Sequence, residues 1–273
     1  MAAATFLVRS VLGDELLLAR AAAMTSRNAT LFRSARAYSM LLISGFAEPI
    51  FYLVLIGWGV GSLIGGMTLA DGRHVSYLSY VAPALLAFTA MSGALAETTT
   101  NFFGKLRYQR QYEAVLNTPL TPGDVAFGEL GWALMRGMLY CAAFLVVMVA
   151  AGATTPLRAL AAVPVVILVG LAFGALGMAI SSFMRSWQDL DYIIGVEFAF
   201  FLFSATFVPL QAYPTALQVI VRITPLYQGV QILRGISLGS PTWSLLGNAV
   251  YLVVLTVVTM AISTRRIKRL FRT

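Results

Sequence analysis

The sequence predicts an all-α membrane protein of six transmembrane helices. Three observations carry this reading. Of 273 residues, 59% are hydrophobic and only 11% charged, whereas soluble domains carry about a quarter charged residues. The apolar runs are spread along the whole chain, so its length reads as one membrane domain and not two soluble ones. Lysine and arginine gather at alternate junctions between those runs.

A spanning helix needs roughly 20 mostly apolar residues. Six stretches qualify: residues 39–63, 77–99, 125–151, 157–183, 190–209 and 243–264. The window 210–240 is moderately apolar, but Pro214, Pro225, Arg222 and Arg234 interrupt it. A full span there would have to bury both arginines, so two short helices dipping into the membrane edge fit better. Within residues 1–38, short apolar clusters alternate with arginines, which predicts an amphipathic helix or two lying at the cytoplasmic interface; the plainer reading is a loosely ordered tail. Residues 265–273 form a basic tail. The first thirty-odd residues contain Asp14, Glu15 and several arginines and lack the apolar core of a secretory signal.

Charge placement predicts orientation. Arg9, Arg20, Arg27, Arg33, Arg36, Lys105, Arg107, Arg110, Arg185, Arg265, Arg266, Lys268, Arg269 and Arg272 fall on the side of the termini. Arg73, Arg158, Arg222 and Arg234 fall on the other, and Arg136 lies inside a span. The balance, 14 against 4, predicts cytoplasmic termini. The formal charge of +8 is thus explained by anionic lipid headgroups, and a nucleic-acid partner is not expected.

Residue counts exclude several chemistries. The single cysteine, Cys141, precludes an internal disulfide or a cysteine metal cluster, and the single histidine, His74, precludes a multi-histidine site. No phosphate-binding loop occurs: the one Gly-Lys pair, Gly104-Lys105, lacks the upstream glycine and the following hydroxyl residue. Neither a zinc-protease nor a nucleophile-elbow motif is present. If transport consumes ATP, a separate polypeptide hydrolyses it. No cofactor or metal is expected in this chain.

The segment 101–124 is the most informative loop. Lys105 to Leu116 is compatible with a helix, closed by Pro119. Leu106, Tyr112, Val115 and Leu116 form no strong lipid-facing stripe, while Arg107, Arg110 and Glu113 recur at i, i+3, i+6 as a charged face. A short helix held rigidly between two spans would suit a lever for a soluble motor. The plainer reading is a solvated interfacial loop.

The run Lys105-Leu-Arg-Tyr-Gln-Arg-Gln-Tyr-Glu-Ala-Val-Leu-Asn-Thr-Pro-Leu120 resembles the coupling segment of type-2 ABC exporter permeases. It is most similar to the nodulation lipo-oligosaccharide exporter permeases and their drug-resistance relatives. The likeness continues at Glu48-Pro49, at Tyr80-Val-Ala-Pro83, and from Phe207-Val-Pro209 through Thr224-Pro-Leu226 to Leu233-Arg234. The resemblance implies a coupling helix at about residues 102–118, with Lys105, Arg107, Arg110, Tyr112, Glu113 and Leu116 facing the motor. It further implies an outer re-entrant hairpin at about 210–240 and a dimer of six-span subunits, homologous or identical. An ABC ATPase would dock under each subunit, two copies in all, and those ATPases would bind the ATP and magnesium.

Ionisable residues inside spans need partners, because a lone charge at the bilayer centre costs at least ~2.5–3.5 kcal/mol. Glu48 and Arg136 lie at matching depth with opposite signs and are expected to serve each other, while Glu197 lies in the fifth span. Glu97 and Glu129 sit near cytoplasmic span ends, where water is expected to reach them. A packing ion pair is the plain role for these groups, and a proton relay the sharper one. Phe200, Phe203 and Phe207 recur on one helical face of the fifth span. They form a possible greasy substrate path, or else ordinary lipid-facing surface. Gly57, Gly61 and Gly65, and Gly170 with Gly174, mark close helix approaches.

These readings converge on a permease of the bacterial cytoplasmic membrane, moving a glycolipid, lipo-oligosaccharide or hydrophobic drug outward by alternating access. The alternatives are an ion-coupled secondary transporter using Glu48, Arg136 and Glu197, and a scaffold or intramembrane enzyme without transport. No internal repeat favours the secondary transporter, and no nucleophile–base pair favours the enzyme.

Overall fold

A computed structural model describes residues 18–34, 47, 50–64, 66–68, 72–109, 111–118, 120–240 and 242–270. The helices are α1 (Leu18–Ser34), α2 (Gly61–Ile64), α3 (Tyr77–Ala96), α4 (Gln111–Leu116), α5 (Pro122–Ala150), α6 (Pro156–Ser181), α7 (Asp189–Leu202), α8 (Thr215–Ile223), α9 (Pro225–Ser237) and α10 (Ser244–Leu270). A π-helical stretch, Leu53–Val60, leads into α2, and two more, Glu97–Asn101 and Gly104–Tyr108, prolong α3. Strands β1 (Gly66–Thr68) and β2 (His74–Ser76) pair antiparallel, Met67 opposite Val75.

Four helical runs are long and apolar enough to cross a membrane: Tyr77–Tyr108, Pro122–Ala150, Pro156–Ser181 and Ser244–Leu270. They correspond to the second, third, fourth and sixth expected spans. Of the first expected span, 39–63, residues 39–46, 48 and 49 lie outside the described residues, and the described remainder is helical, running through the Leu53–Val60 π stretch into α2. The fifth departs from expectation. Its helix, α7, stops at Leu202 after 14 residues, and at about 1.5 Å per residue this reaches only part-way through a bilayer. After Phe203 the Ser204 and Thr206 hydroxyls donate to the carbonyls of Phe200 and Phe201, ending the helix by side-chain capping.

Local chemistry sets the starts of the spans. Ser76 caps α3 by accepting from the Ser79 amide. Thr121 and Asp124 form a reciprocal capping box at α5, with Pro122 in the first turn; Pro156 opens α6. Proline is tolerated there because its missing N–H has no partner in a first turn anyway.

Helix α3 is the core of the bundle, buried among α5, α6 and α9. Glycines set the closest crossings. A Cβ at Gly170 or Gly174 would stand 2.9 or 2.6 Å from Leu134 or Leu130 of α5. This places the small-residue stripe of α6 against a helix of the same chain. Gly128 of α5 seats Met24 of α1, where a Cβ would come within 2.5 Å, and Thr25 donates to the Gly128 carbonyl at 2.9 Å. The interfacial segment is thus docked on α5 through Ala21, Met24 and Asn28, all buried.

The expected pair of short helices is α8 and α9, broken where Thr224 adopts extended backbone before Pro225. Arg222 stays exposed, but Arg234 is 7% exposed, so the hairpin buries one of the two arginines the sequence reading kept out. The cost is met by protein partners. Arg234 Nε donates to the Tyr80 carbonyl at 3.2 Å and Nη2 to the Ala205 carbonyl at 3.0 Å. The guanidinium lies 3.8 Å over the Tyr80 ring, a desolvated cation–π contact. Ala205 holds a left-handed φ of +54° that presents its carbonyl to the same guanidinium.

Candidate functional site

At the end of the bundle that holds α1 and the C-terminal turns of α10, the α3 helix does not stop near Thr99. Thr98 and Thr99 donate back to the Ala94 and Leu95 carbonyls, competing with the backbone ladder. The chain widens into π turns and continues to Tyr108. The separate short helix is therefore only α4, and Lys105 and Arg107 belong to the end of the spanning helix. This corrects the continuous helix expected over 105–116; the expected i, i+3, i+6 face rests on Arg110 and Glu113, whose side chains lie outside the described residues.

Lys105 turns inward. Its Nζ lies 2.7 Å from Glu129 Oε2 of α5 and 3.4 Å from Asn28 Oδ1 of α1. The side chains are 17% and 2% exposed for Lys105 and Glu129. Tyr112, 1% exposed, packs its ring on Phe102 at 5.5 Å and sets its hydroxyl beside the same carboxylate. Burial, then the Glu129 charge, hold that hydroxyl well above its ordinary value, with Arg27 partly offsetting them. Among the described residues, the Tyr112 hydroxyl, Glu129 Oε1 and Asn28 Nδ2 make no aligned hydrogen bond. The buried Lys105–Glu129 pair thus joins the root of α3 to α5, with Asn28 of α1 on the lysine and Tyr112 of α4 packed beside the carboxylate, and Glu129 is not the water-facing group expected.

The exposed part of this region is different. Arg107 faces outward. Tyr108, 57% exposed, stacks on Trp187 at 5.2 Å and 28°, and Phe103 meets Trp187 edge-on at 5.4 Å and 87°. Gly104 leaves room for that indole, 3.4 Å from where a Cβ would be. Trp187 precedes α7, whose first residue, Asp189, accepts from the Arg185 and Ser186 amides; those bonds hold its carboxyl below the ordinary value. Arg110 lies outside the described residues, as do the side chains of Glu113 and Leu116.

Inside the bundle, Arg136 of α5 is ion-paired with Glu97, which is 4% exposed. Trp132 Nε1 and Asn101 Nδ2 donate to the same carboxylate at 3.1 and 2.9 Å, and Arg136 Nε donates to the Tyr140 hydroxyl at 3.0 Å. Glu97 is buried and not hydrated as expected. Glu48, the partner expected from sequence, lies outside the described residues. Glu197 is half-buried on α7.

The phenylalanine stripe does not form one face. Phe200 packs edge-on to Phe173 at 6.1 Å, Phe203 is the residue after the helix, and Phe207 meets Phe201 at 5.1 Å beyond the break. The centre of the cluster is Phe201, 3% exposed, which also meets Tyr52 and Phe88. Sequence reading missed Phe201, Trp187 and the Glu97–Arg136 pair. Only the last left a signal, a positive charge inside one span and a negative one near the end of another.

Comparison with known proteins agrees with this architecture. Residues 66–265 match the family described as ABC-2 family transporter protein. The chain is 34% identical over 202 residues to Nodulation protein J of Rhizobium meliloti (strain 1021), covering 73% of this chain and 75% of that protein. It is also 34% identical over 233 residues to Nodulation protein J of Rhizobium leguminosarum bv. trifolii, covering 84% and 86%. The Inner membrane transport permease YadH of Escherichia coli (strain K12) is 26% identical over 106 residues, 39% of each chain.

Proposed function

The chain belongs to the ABC-2 family of transporter proteins, and from that membership we propose that it exports an amphipathic substrate across the bacterial cytoplasmic membrane by alternating access. It is a membrane permease and not an enzyme, ATP hydrolysis residing in a separate subunit. In this reading the chain crosses the membrane six times with both termini cytoplasmic. It pairs with a second permease subunit and with two ATPase copies that bind ATP and magnesium. A lipo-oligosaccharide, glycolipid or hydrophobic drug is the cargo class.

The observation that carries the reading is the joint at Glu129. Helix α4 is too short to be stable alone and is anchored by Tyr112, buried against Phe102 beside the carboxylate that holds Lys105 to α5. A push on α4 from an ATPase therefore moves the roots of two spans together, with Arg107, Arg110, Glu113 and Leu116 as the contacts and Lys105 and Tyr112 as the anchor. Reconstitution in proteoliposomes with the ATPase and a fluorescent glycolipid should give transport that requires hydrolysable ATP. Transport driven by an ion gradient without nucleotide would instead assign the chain to the secondary transporters, with Glu48, Arg136 and Glu197 as the relay.

A further inference from the structure

The four arginines assigned by sequence to the side away from the termini all gather around α9. Arg73 and Arg158 donate to the Leu238 and Ser237 carbonyls at 3.2 and 3.4 Å, at the negative end of the helix dipole. Arg234 lies inside the hairpin. Arg222, exposed, ends α8. Between α8–α9 and the first turns of α10 opens a cleft of about 680 Å³, lined by Arg222, Gln228, Gln231, Arg234, Ser244 and Asn248 among others. Its polar groups are guanidinium, amide and hydroxyl, and among the described residues no carboxylate lines it.

The surroundings of the cleft are those of a membrane boundary. Trp243, 88% exposed, stands beside its rim, as interfacial tryptophans do. Below it α10 presents an apolar ridge, with Leu246, Val250, Val254 and Val257 41–60% exposed. A polar cleft with spare cationic charge thus sits at the head of a surface suited to an acyl chain.

We propose that this cleft holds the phosphodiester headgroup of an anionic membrane lipid. The forked guanidinium of Arg222 matches phosphate oxygens, and the amide of Asn248 suits the hydroxyls of a glycerol head, while the Gln228 Nε2 is held by the Arg222 carbonyl. The tail lies along the α10 ridge. An uncharged sugar headgroup would leave Arg222 without its counter-charge. The site is independent of the export reading, because binding is read without ATPase or nucleotide.

The test uses the full chain in nanodiscs of phosphatidylcholine, alone or doped with phosphatidylglycerol of the same acyl chains, and measures lipid-dependent Tm and binding. Phosphatidylglycerol is expected to stabilise the wild type. Arg222→Gln should weaken that binding about tenfold, the equivalent of one charge-assisted contact, and Arg222→Lys should retain part of it. Arg265→Gln, at the opposite end of α10, should bind as the wild type does. Equal weakening in Arg222→Gln and Arg265→Gln would assign the effect to diffuse basic charge and overturn the proposal. Unchanged binding in Arg222→Gln would overturn it too. Inorganic phosphate added to phosphatidylcholine discs should stabilise far less than the lipid does. A shift as large as the lipid's would make the cleft a free-anion site.

Discussion

Arg136 and Glu97 form an ion pair within the bundle, joining the middle of α5 to the residue where α3 passes into π-helical turns. The pair is embedded in donors: Trp132 and Asn101 reach the carboxylate, and the Tyr140 hydroxyl accepts from the guanidinium. Arg136→Gln or Glu97→Gln alone leaves a buried charge uncompensated, which typically costs ~3–5 kcal/mol. Each should lower Tm in detergent, and the double variant should recover part of the loss as a coupling term. Strictly additive losses would show the pair to be energetically idle. The same cycle with Glu48→Gln measures the pairing expected from sequence.

Arg234 should be irreplaceable in the hairpin. Removing its fork leaves the Tyr80 and Ala205 carbonyls without these donors, at ~1–3 kcal/mol for each unsatisfied group. Arg234→Gln and Arg234→Lys should both destabilise, because an ammonium keeps the charge but not the two-pronged geometry. Protease sensitivity at residues 205–224 should rise in both, and a Lys variant as resistant as wild type would refute the fork.

Tyr112 links stability to alkaline pH. Its folded-state hydroxyl is held above the ordinary value of 10.0, so the folded state keeps its proton where the unfolded chain loses it. That contribution is complete below about pH 10, the unfolded tyrosine value, and is lost as pH rises through the folded value. Tyr112→Phe should match wild-type Tm at pH 8 and fall less steeply above pH 10. Tyr112→Ala, by contrast, should cost ~3–5 kcal/mol through the cavity beside Phe102. A Phe variant with the wild-type alkaline slope would remove Tyr112 from the titration.

Charge reversal at Arg110 or Glu113 should leave the chain inserted yet uncoupled from its ATPase. The readouts are co-purification and substrate-stimulated hydrolysis, and normal values of both in the two variants would take α4 out of the contact.

Cysteines introduced at Asp71 and Ala212 should react with an impermeant reagent in intact cells, whereas those at Asn117 and Thr273 should not. The reverse labelling pattern would invert the orientation drawn from the arginines and lysines.

What the sequence made legible were features written in composition and local stereochemistry. Pro122, Pro156 and the apolar runs behind them mark two spans without tertiary information, and Pro214, Pro225 and the two arginines mark the broken hairpin. The features that escaped depend on neighbours. The break after Leu202 carries no proline or glycine; hydroxyls of Ser204 and Thr206 and the reach of Arg234 make it, so a periodic reading carried the phenylalanine stripe through. The choice of Glu97 for Arg136 follows from the packing of α3 on α5, which no spacing within one helix reveals.

The π turns at Glu97–Asn101 and Gly104–Tyr108 act as phase shifters. Each holds about one residue more per turn than an α-helix, so each rotates everything beyond it by about 100° relative to an uninterrupted 3.6-residue count. Two in succession decouple the azimuth of the membrane-embedded face from that of the tip that bears Arg107 and Tyr108. A single-residue deletion at Thr99 should let one π turn relax to α-helix and swing Tyr108 off Trp187, with little change in span length. Tryptophan emission would report the loss of stacking. The heading of this span's tip is thereby set apart from that of the buried helix beneath it, which keeps its seat.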